Sequence, residues 1–162
     1  MPLEPPLVLV SSDPALEAAL RRRERAALGP ARLVLRRLQG GGVVAVVSVR
    51  FCTNASIRKL NRRWFGRARA TNVMSFPSPV LHAAVGAHGP VPLRAGALGR
   101  WLRGPRGEVF LGDIALSLER ADAEARAAGV DPGEWTSALL VHGLLHLLGY
   151  THRTMPMDSR NM

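Results

Sequence analysis

Apolar positions in this chain fall either into short unbroken runs or into longer stretches broken by charges, and the two patterns predict strands and helices respectively. Leu7–Val10 is a short apolar run and predicts a strand. Val43–Phe51, rich in valine, predicts a central strand, and Val73–Phe76 and Glu108–Ser117 predict two more. Asp13-Pro14 supplies an N-cap followed by proline at the first helical position. The helix it starts is expected to end at Gly29-Pro30, with a second piece through Leu38, and Gly40–Gly42 then forms a turn. Ile57–Trp64 reads as a helix with Ile57, Leu60 and Trp64 on one face. Leu118–Ala128 is a helix closed by Gly129. Asp131-Pro132-Gly133-Glu134 resembles a capping box and opens a last helix that runs to Leu148. Pro77–Gly107 is rich in Pro, Gly and Ala with scattered arginines, and is expected to be a long loop, functional or disordered. There is no internal repeat. Strands mixed with helices point to an α+β or α/β class with a small sheet, and 162 residues suggest one domain, 1–162, around a single core.

The last helix carries the candidate chemistry. Three of the five histidines lie between His142 and His152. His142 and His146 are four apart and share a helix face one turn from each other. Gly149 can end the helix and let His152 fold back toward the same point. Three imidazoles converging so make a half-built tetrahedron, the form of a catalytic zinc site that keeps its fourth position open. His-x3-His-x2-Gly-x2-His also has the ligand and glycine spacing of the extended zincin motif. Leu139, Leu140, Val141, Leu144, Leu145, Leu147 and Leu148 make the helix apolar nearly all round, so it is expected to be buried and its histidines to need partners. A core helix whose histidines bond to backbone is the plainer alternative. In His-Glu-x-x-His metalloproteases the glutamate is the general base; here Gly143 holds that position and cannot move a proton. Either the chemistry is not peptide hydrolysis or another group is the base.

Composition narrows the class. Apolar residues make up 47% of the chain, too many for a disordered protein. With Cys52 as the single cysteine no internal disulfide can form, which fits a reducing compartment. No long uncharged apolar run would span a bilayer, and the first residues lack the basic region of a signal peptide, so a soluble intracellular protein is expected. The net charge is +10, carried by arginine with Lys59 as the sole lysine. That suits a polyanion such as nucleic acid, although an arginine-rich genome would raise the charge without any ligand. Of the remaining residues, Asp113 is expected to be structural, Ser75 to contact substrate or end a strand, His82 and His88 to be solvated in the long loop, and Cys52 to be core.

Four segments resemble the YbeY family of bacterial and organellar endoribonucleases: His142-Gly143-x-Leu145-His146-Leu147-x-Gly149-Tyr150-x-His152, Thr71-Asn72-Val73-Met74-Ser75-Phe76-Pro77, Leu111-Gly112-Asp113-Ile114, and Leu60-Asn61 with Trp64. They occur in the family's order across residues 43–152. The resemblance implies an α+β fold, a small mixed β-sheet packed against helices, with a zincin-like metal-site helix. It implies a zinc-dependent, single-strand-specific endoribonuclease in ribosomal RNA processing, at the small-subunit 3′ end, with one zinc ion per chain. His142, His146 and His152 would be its ligands, and Thr71 to Ser75 would line the cleft. Single-stranded or ribosomal RNA and ribosomal or small-subunit proteins would be partners, in bacterial cytoplasm or in a eukaryotic organelle such as the mitochondrion.

The chain departs from the family at three places. Where the family usually has Tyr-Arg, with the arginine serving RNA cleavage, this chain has Trp64-Phe65. Arg62, Arg63 and Arg67 are the candidates for that role, and with Arg69, Thr71 and Ser75 for RNA contact. Thr151 stands where aspartate is common before the last histidine, and the chain stops at Met162 with Met155-Pro156-Met157 where the family continues into a closing helix. Two rival readings remain: a non-catalytic, metal-stabilised ribosome-assembly factor, favoured by Phe65, and a metallopeptidase, disfavoured by Gly143.

Overall fold

The structure is a computed structural model that describes residues 7–11, 14–102 and 107–152. Asp13, Met155–Met157 and Met162 lie outside the described residues. The fold is α+β. Four strands, β1 (Leu7–Ser11), β2 (Val43–Cys52), β3 (Val73–Pro77) and β4 (Gly107–Ser117), form one mixed sheet in the order β1-β2-β4-β3. β2 runs parallel to both β1 and β4, and β3 pairs antiparallel to β4 at the edge. The valine-rich segment is central, as its composition predicts.

Alternation along β2 gives the sheet two unlike faces. Val43, Ala45, Val47, Val49 and Phe51 are fully buried, while Ser48 is half-buried and Arg50 exposed. The buried face carries the main core, covered by α1 (Pro14–Leu38) and α6 (Pro132–Leu147), which also pack on each other. The other face is only partly covered. There α2 (Asn54–Phe65) closes a small cluster of Cys52, Ile57 and Met74. Cys52 is core as expected, and burial pushes its thiol up to about 11, so it stays a neutral thiol at physiological pH.

Several expectations from the sequence are corrected here. α1 does not end at Gly29-Pro30; it continues through Pro30 for 25 residues. Leu28 and Ala31 flank the proline and, with Leu35 and Leu38, are buried, so packing of one apolar stripe outweighs the lost hydrogen bond. Pro77–Gly107 is not one long loop. It holds α3 (Pro79–His88) and the short α4 (Ala97–Trp101). Ser78 caps α3 by accepting from the Leu81 N–H, with Pro79 in the first turn and Leu81 buried beneath. His82 and His88 therefore sit on a helix, though both are exposed. Trp64, at the end of α2, is 60% exposed, and Asp113 is exposed on the open side of the sheet. α5 (Leu118–Ala128), closed by Gly129, agrees with its sequence reading and is tied to α1 by an Arg23–Asp122 ion pair.

At Gly112 the neighbouring strand β3 and Leu147 of α6 crowd against β4. The register of β4 against β2 shifts at this point, from Val46↔Phe110 to Val47↔Gly112, leaving Leu111 as a bulge. Gly112 has φ +146°, and a Cβ there would lie 2.3 Å from the Phe76 carbonyl oxygen and 2.9 Å from Leu147 Cδ2. Gly112→Ala is expected to destabilise the fold by about 3 kcal/mol, from strain and overpacking together. Gly129→Ala, with φ +67° but nothing within 4 Å, should cost only about 1 kcal/mol. Urea unfolding with an unchanged slope measures both; equal midpoints for the two variants would contradict the assigned close contact.

Candidate metal centre and adjoining cleft

α6 is set in place at its start, its flank and its end. Asp131 Oδ1 accepts from the N–H groups of Gly133 (2.8 Å) and Glu134 (3.1 Å), capping its first turn. Leu139, Leu140, Leu144 and Leu147 are buried on the core side. Gly143 faces β3 and β4: a Cβ there would meet Val73 Cγ2 at 3.0 Å, Ile114 Cγ2 at 3.1 Å and Ser75 Oγ at 3.2 Å. Ser75 Oγ donates to the Gly143 carbonyl at 2.7 Å and so fastens strand to helix. The residue between the histidines is thus a tight packing position, where any Cβ would press on Val73, Ile114 and Ser75.

The helix ends as the glycine predicts. Gly149 has φ +92°, and its N–H donates to the His146 carbonyl at 3.1 Å. The return strand of chain is tied down by Val91, whose N–H donates to the Leu148 carbonyl (2.9 Å) and whose carbonyl accepts from Tyr150 Oη (3.0 Å). His152 is thereby brought back over His142 and His146.

One ring nitrogen from each of His142, His146 and His152 lies within 4.8 Å of the others, and the Nε2 atoms of His142 and His146 are 3.0 Å apart. Tetrahedral zinc with Zn–N of ~2.0–2.1 Å sets its nitrogen ligands about 3.3 Å apart, so this donor set has the scale of such a site. Burial, followed by the charges of His146 and His152, holds His142 below the ordinary 6.5. Burial and then His152 do the same to His146, opposed by a backbone hydrogen bond at Tyr150. Neutral imidazoles with available lone pairs result, which suits a cation. The expectation of full burial is corrected: His142 and His146 are half-buried and His152 is exposed, so one side of the cluster opens to solvent. Thr151 is exposed as well.

That open side is a cavity of about 430 Å³ lined by Thr71, Asn72, Val73, Ser75 and the three histidines. It adjoins a larger cleft of about 780 Å³ to which Arg67, Arg69, Phe65, Thr71, Ser75 and His146 contribute. Arg67, Arg69, Thr71 and Ser75 are thus brought together beside the histidines. Arg62 and Arg63 are not: both are exposed on α2 outside these linings, and the Arg63 guanidinium lies 5.6 Å from the Trp64 ring centroid.

The sequence reading missed two residues of the cleft, Asn61 and Arg120. Asn61 Nδ2 donates to the Arg69 carbonyl at 2.9 Å and shapes the loop after α2. Arg120 comes from α5, its Nε donating to Glu124 Oε1 at 3.0 Å. Glu124 also accepts from Asn72 Nδ2 and Trp135 Nε1, both at 3.1 Å. In a chain this rich in arginine no local signal distinguishes Arg120; only the fold brings it to Arg67.

The family described as Endoribonuclease YbeY matches the chain over residues 32–162. The chain is similar to Endoribonuclease YbeY of Chloroflexus aggregans, 32% identical over 155 residues that cover 96% of this chain and 86% of the relative. It is 37% identical to Endoribonuclease YbeY of Anaeromyxobacter dehalogenans over 155 residues, covering 95% of this chain and 64% of that longer relative. The solution structure of TM1509 from Thermotoga maritima shares the fold, with a TM-score of 0.52 at 16% identity over 96% of this chain and 80% of that one.

The depressed histidines predict a pH response. Below the ordinary 6.5 the unfolded chain binds more protons than the folded one, so stability falls as pH drops through that window and levels off below the depressed values. Metal-free protein should therefore lose melting temperature as pH falls below 6.5, and His142→Gln/His146→Gln should lose much less. Parallel curves for the two proteins would remove the histidines as the cause.

Proposed function

The chain belongs to the YbeY family of endoribonucleases, and on that premise we propose that it is a zinc-dependent, single-strand-specific endoribonuclease that matures ribosomal RNA at the small-subunit 3′ end. The observation that carries the reading is the position of the three-imidazole cluster at the wall of an arginine-lined cleft. His142, His146 and His152 would hold one zinc ion per chain. Such an ion polarises a phosphoryl oxygen and lowers the pKa of bound water. Arg67, Arg69 and Arg120 grip the phosphate backbone and place a scissile bond beside the histidines. Thr71 adds a hydroxyl to both cavities, and Ser75 keeps helix and strand in register through its bond to Gly143. The ribosome and its small-subunit proteins are the setting this activity requires. No helix among the described residues is long and apolar enough to cross a membrane.

One observation favours a second reading. Phe65, where the family pattern has an arginine, lines the cleft without charge, as suits an assembly factor that binds RNA and does not cut it. The metallopeptidase reading loses its base, because Gly143 is packed against Val73, Ile114 and Ser75.

Purified protein is expected to carry about one zinc per chain and His146→Ala to lose it, with elemental analysis as the measurement. Single-stranded RNA cleavage should stop with chelator. Arg67→Ala should slow single-turnover cleavage on the order of 10²-fold, as removal of an electrostatic donor does, while Arg62→Ala/Arg63→Ala changes it far less. A protein that binds both metal and RNA yet never cuts is the assembly factor; chelator-sensitive peptide cleavage lost in His142→Ala would make it a peptidase.

A further inference from the structure

The partly covered face of the sheet holds an aromatic group that the metal centre does not use. Trp64 is 60% exposed, Phe65 58% and Phe110 45%. They are not scattered. Trp64 and Phe65, consecutive at the end of α2, both lean on Phe76 of β3, with ring centroids 5.9 Å and 6.3 Å away. Phe65 and Phe76 are stacked, 28° from parallel. All four rings border one cavity of about 780 Å³, whose floor includes Arg50 and Asp113. Contiguous exposed aromatic surface beside a cleft marks a place where something docks.

Three observations decide what docks. The first is continuity: Phe65 and Ser75 line both this cavity and the arginine cleft, and Ser75 also lines the histidine cavity, so one surface runs from the rings to the metal centre. The second is charge. Arg63 sits 5.6 Å over the Trp64 ring, Arg50 lies in the floor and Arg67 and Arg69 lie along the adjoining cleft, a setting that attracts a polyanion. The third is the mix of rings with Arg50 and Asp113. An apolar peptide laid there would bury both charged groups without partners, whereas base edges offer donors and acceptors to each.

We propose that Trp64, Phe65 and Phe76 form a stacking platform for unpaired bases, which seats the nucleotides flanking those held by the arginine cleft. The proposal rests on the single-stranded RNA reading above and adds the group that would exclude duplex: paired bases keep their faces inside the helix stack, and only an unpaired base can lie on an aromatic ring. Phe65 then replaces a charge in the family pattern by a π surface, so that affinity depends on the bases as well as the phosphates.

Fluorescence anisotropy, read before turnover, tests this with two probes: oligoadenylate and an abasic ribose-phosphate oligomer with the same number of phosphates. Wild type should bind oligoadenylate on the order of 5- to 100-fold more tightly, the range that base–aromatic stacking supports. Trp64→Ala/Phe65→Ala should bind both probes alike, with the wild-type salt slope, since the phosphate contacts are untouched. Trp64→Phe should keep most of the preference. If the double variant fails to fold, Phe65→Leu, which keeps apolar volume but removes the ring, must still lose much of it. Equal binding of the two probes by wild type, or an undiminished preference in the double variant, overturns the platform. So does a double variant that keeps its preference but loses self-association in sedimentation, which would make the face a contact between copies. Cleavage of the oligoadenylate by metal-loaded wild type is scored separately. Base-dependent binding without cleavage refutes the nuclease and leaves the platform; cleavage with base-independent binding does the reverse.

Discussion

The close approach of α6 to the β3–β4 edge is the constraint on which the site depends. Gly143 on the helix permits it, facing Val73, Ile114 and Ser75 at distances a methyl group would crowd, while Gly112 on β4 lets Phe76 and Pro77 of β3 and Leu147 of α6 close in beside it. Ser75 adds a hydrogen bond across the same contact. A side chain at Gly143 would press on Val73 and Ser75, two residues of the wall that faces His142 and His146. The histidine pair is therefore positioned by a close contact between its own helix and the strand that lines its cavity, and the residue between the histidines serves that contact.

The sheet divides the molecule's work. Its buried face, with Phe51, Leu116 and the alternate valines of β2 against α1 and α6, supplies the core. The other face is left with Arg50, Asp113 and the rings around Phe76, and it meets the arginine cleft at Phe65 and Ser75. An edge strand, β3, joins the two regions: Val73 and Ser75 line the histidine cavity and Phe76 is the hub of the ring group. A five-residue strand thus sets the spacing between the histidine cluster and an aromatic surface.

Local periodicity made most elements legible in the sequence. The valine run of β2, the glycine-closed α5 and the proline-opened α6 all read correctly, because each is decided by residues within one or two turns. The histidine triad was legible for the same reason: a four-residue spacing and a turn glycine bring all three rings together. Reading failed where distant packing decides. Pro30 looks like a break until Leu28, Ala31 and Leu35 are seen buried under one face. The Pro- and Ala-rich segment hid α3, although Ser78-Pro79 was a start signal in plain view. Trp64 sits at a helical spacing from Ile57 and Leu60, which suggests burial, but α2 ends just beyond it over the sheet's open face, where no further layer covers it among the described residues. Arg120 is invisible in the sequence because its importance comes from α5 crossing beside the loop after α2.

The carboxylate of Glu124 gives the cleft a property that its arginine count conceals. It accepts hydrogen bonds from Arg120, Asn72 and Trp135, one each from α5, the approach to β3 and α6. Arg120 thus enters the cleft already accompanied by a resident counterion. A phosphate that binds there exchanges with a tethered carboxylate as well as with condensed cations of the solution, so this contact releases less salt than a bare guanidinium would. For a phosphate ligand such a cleft would be less sensitive to ionic strength than its formal charge suggests, and Arg120 would keep its own carboxylate partner when the ligand left.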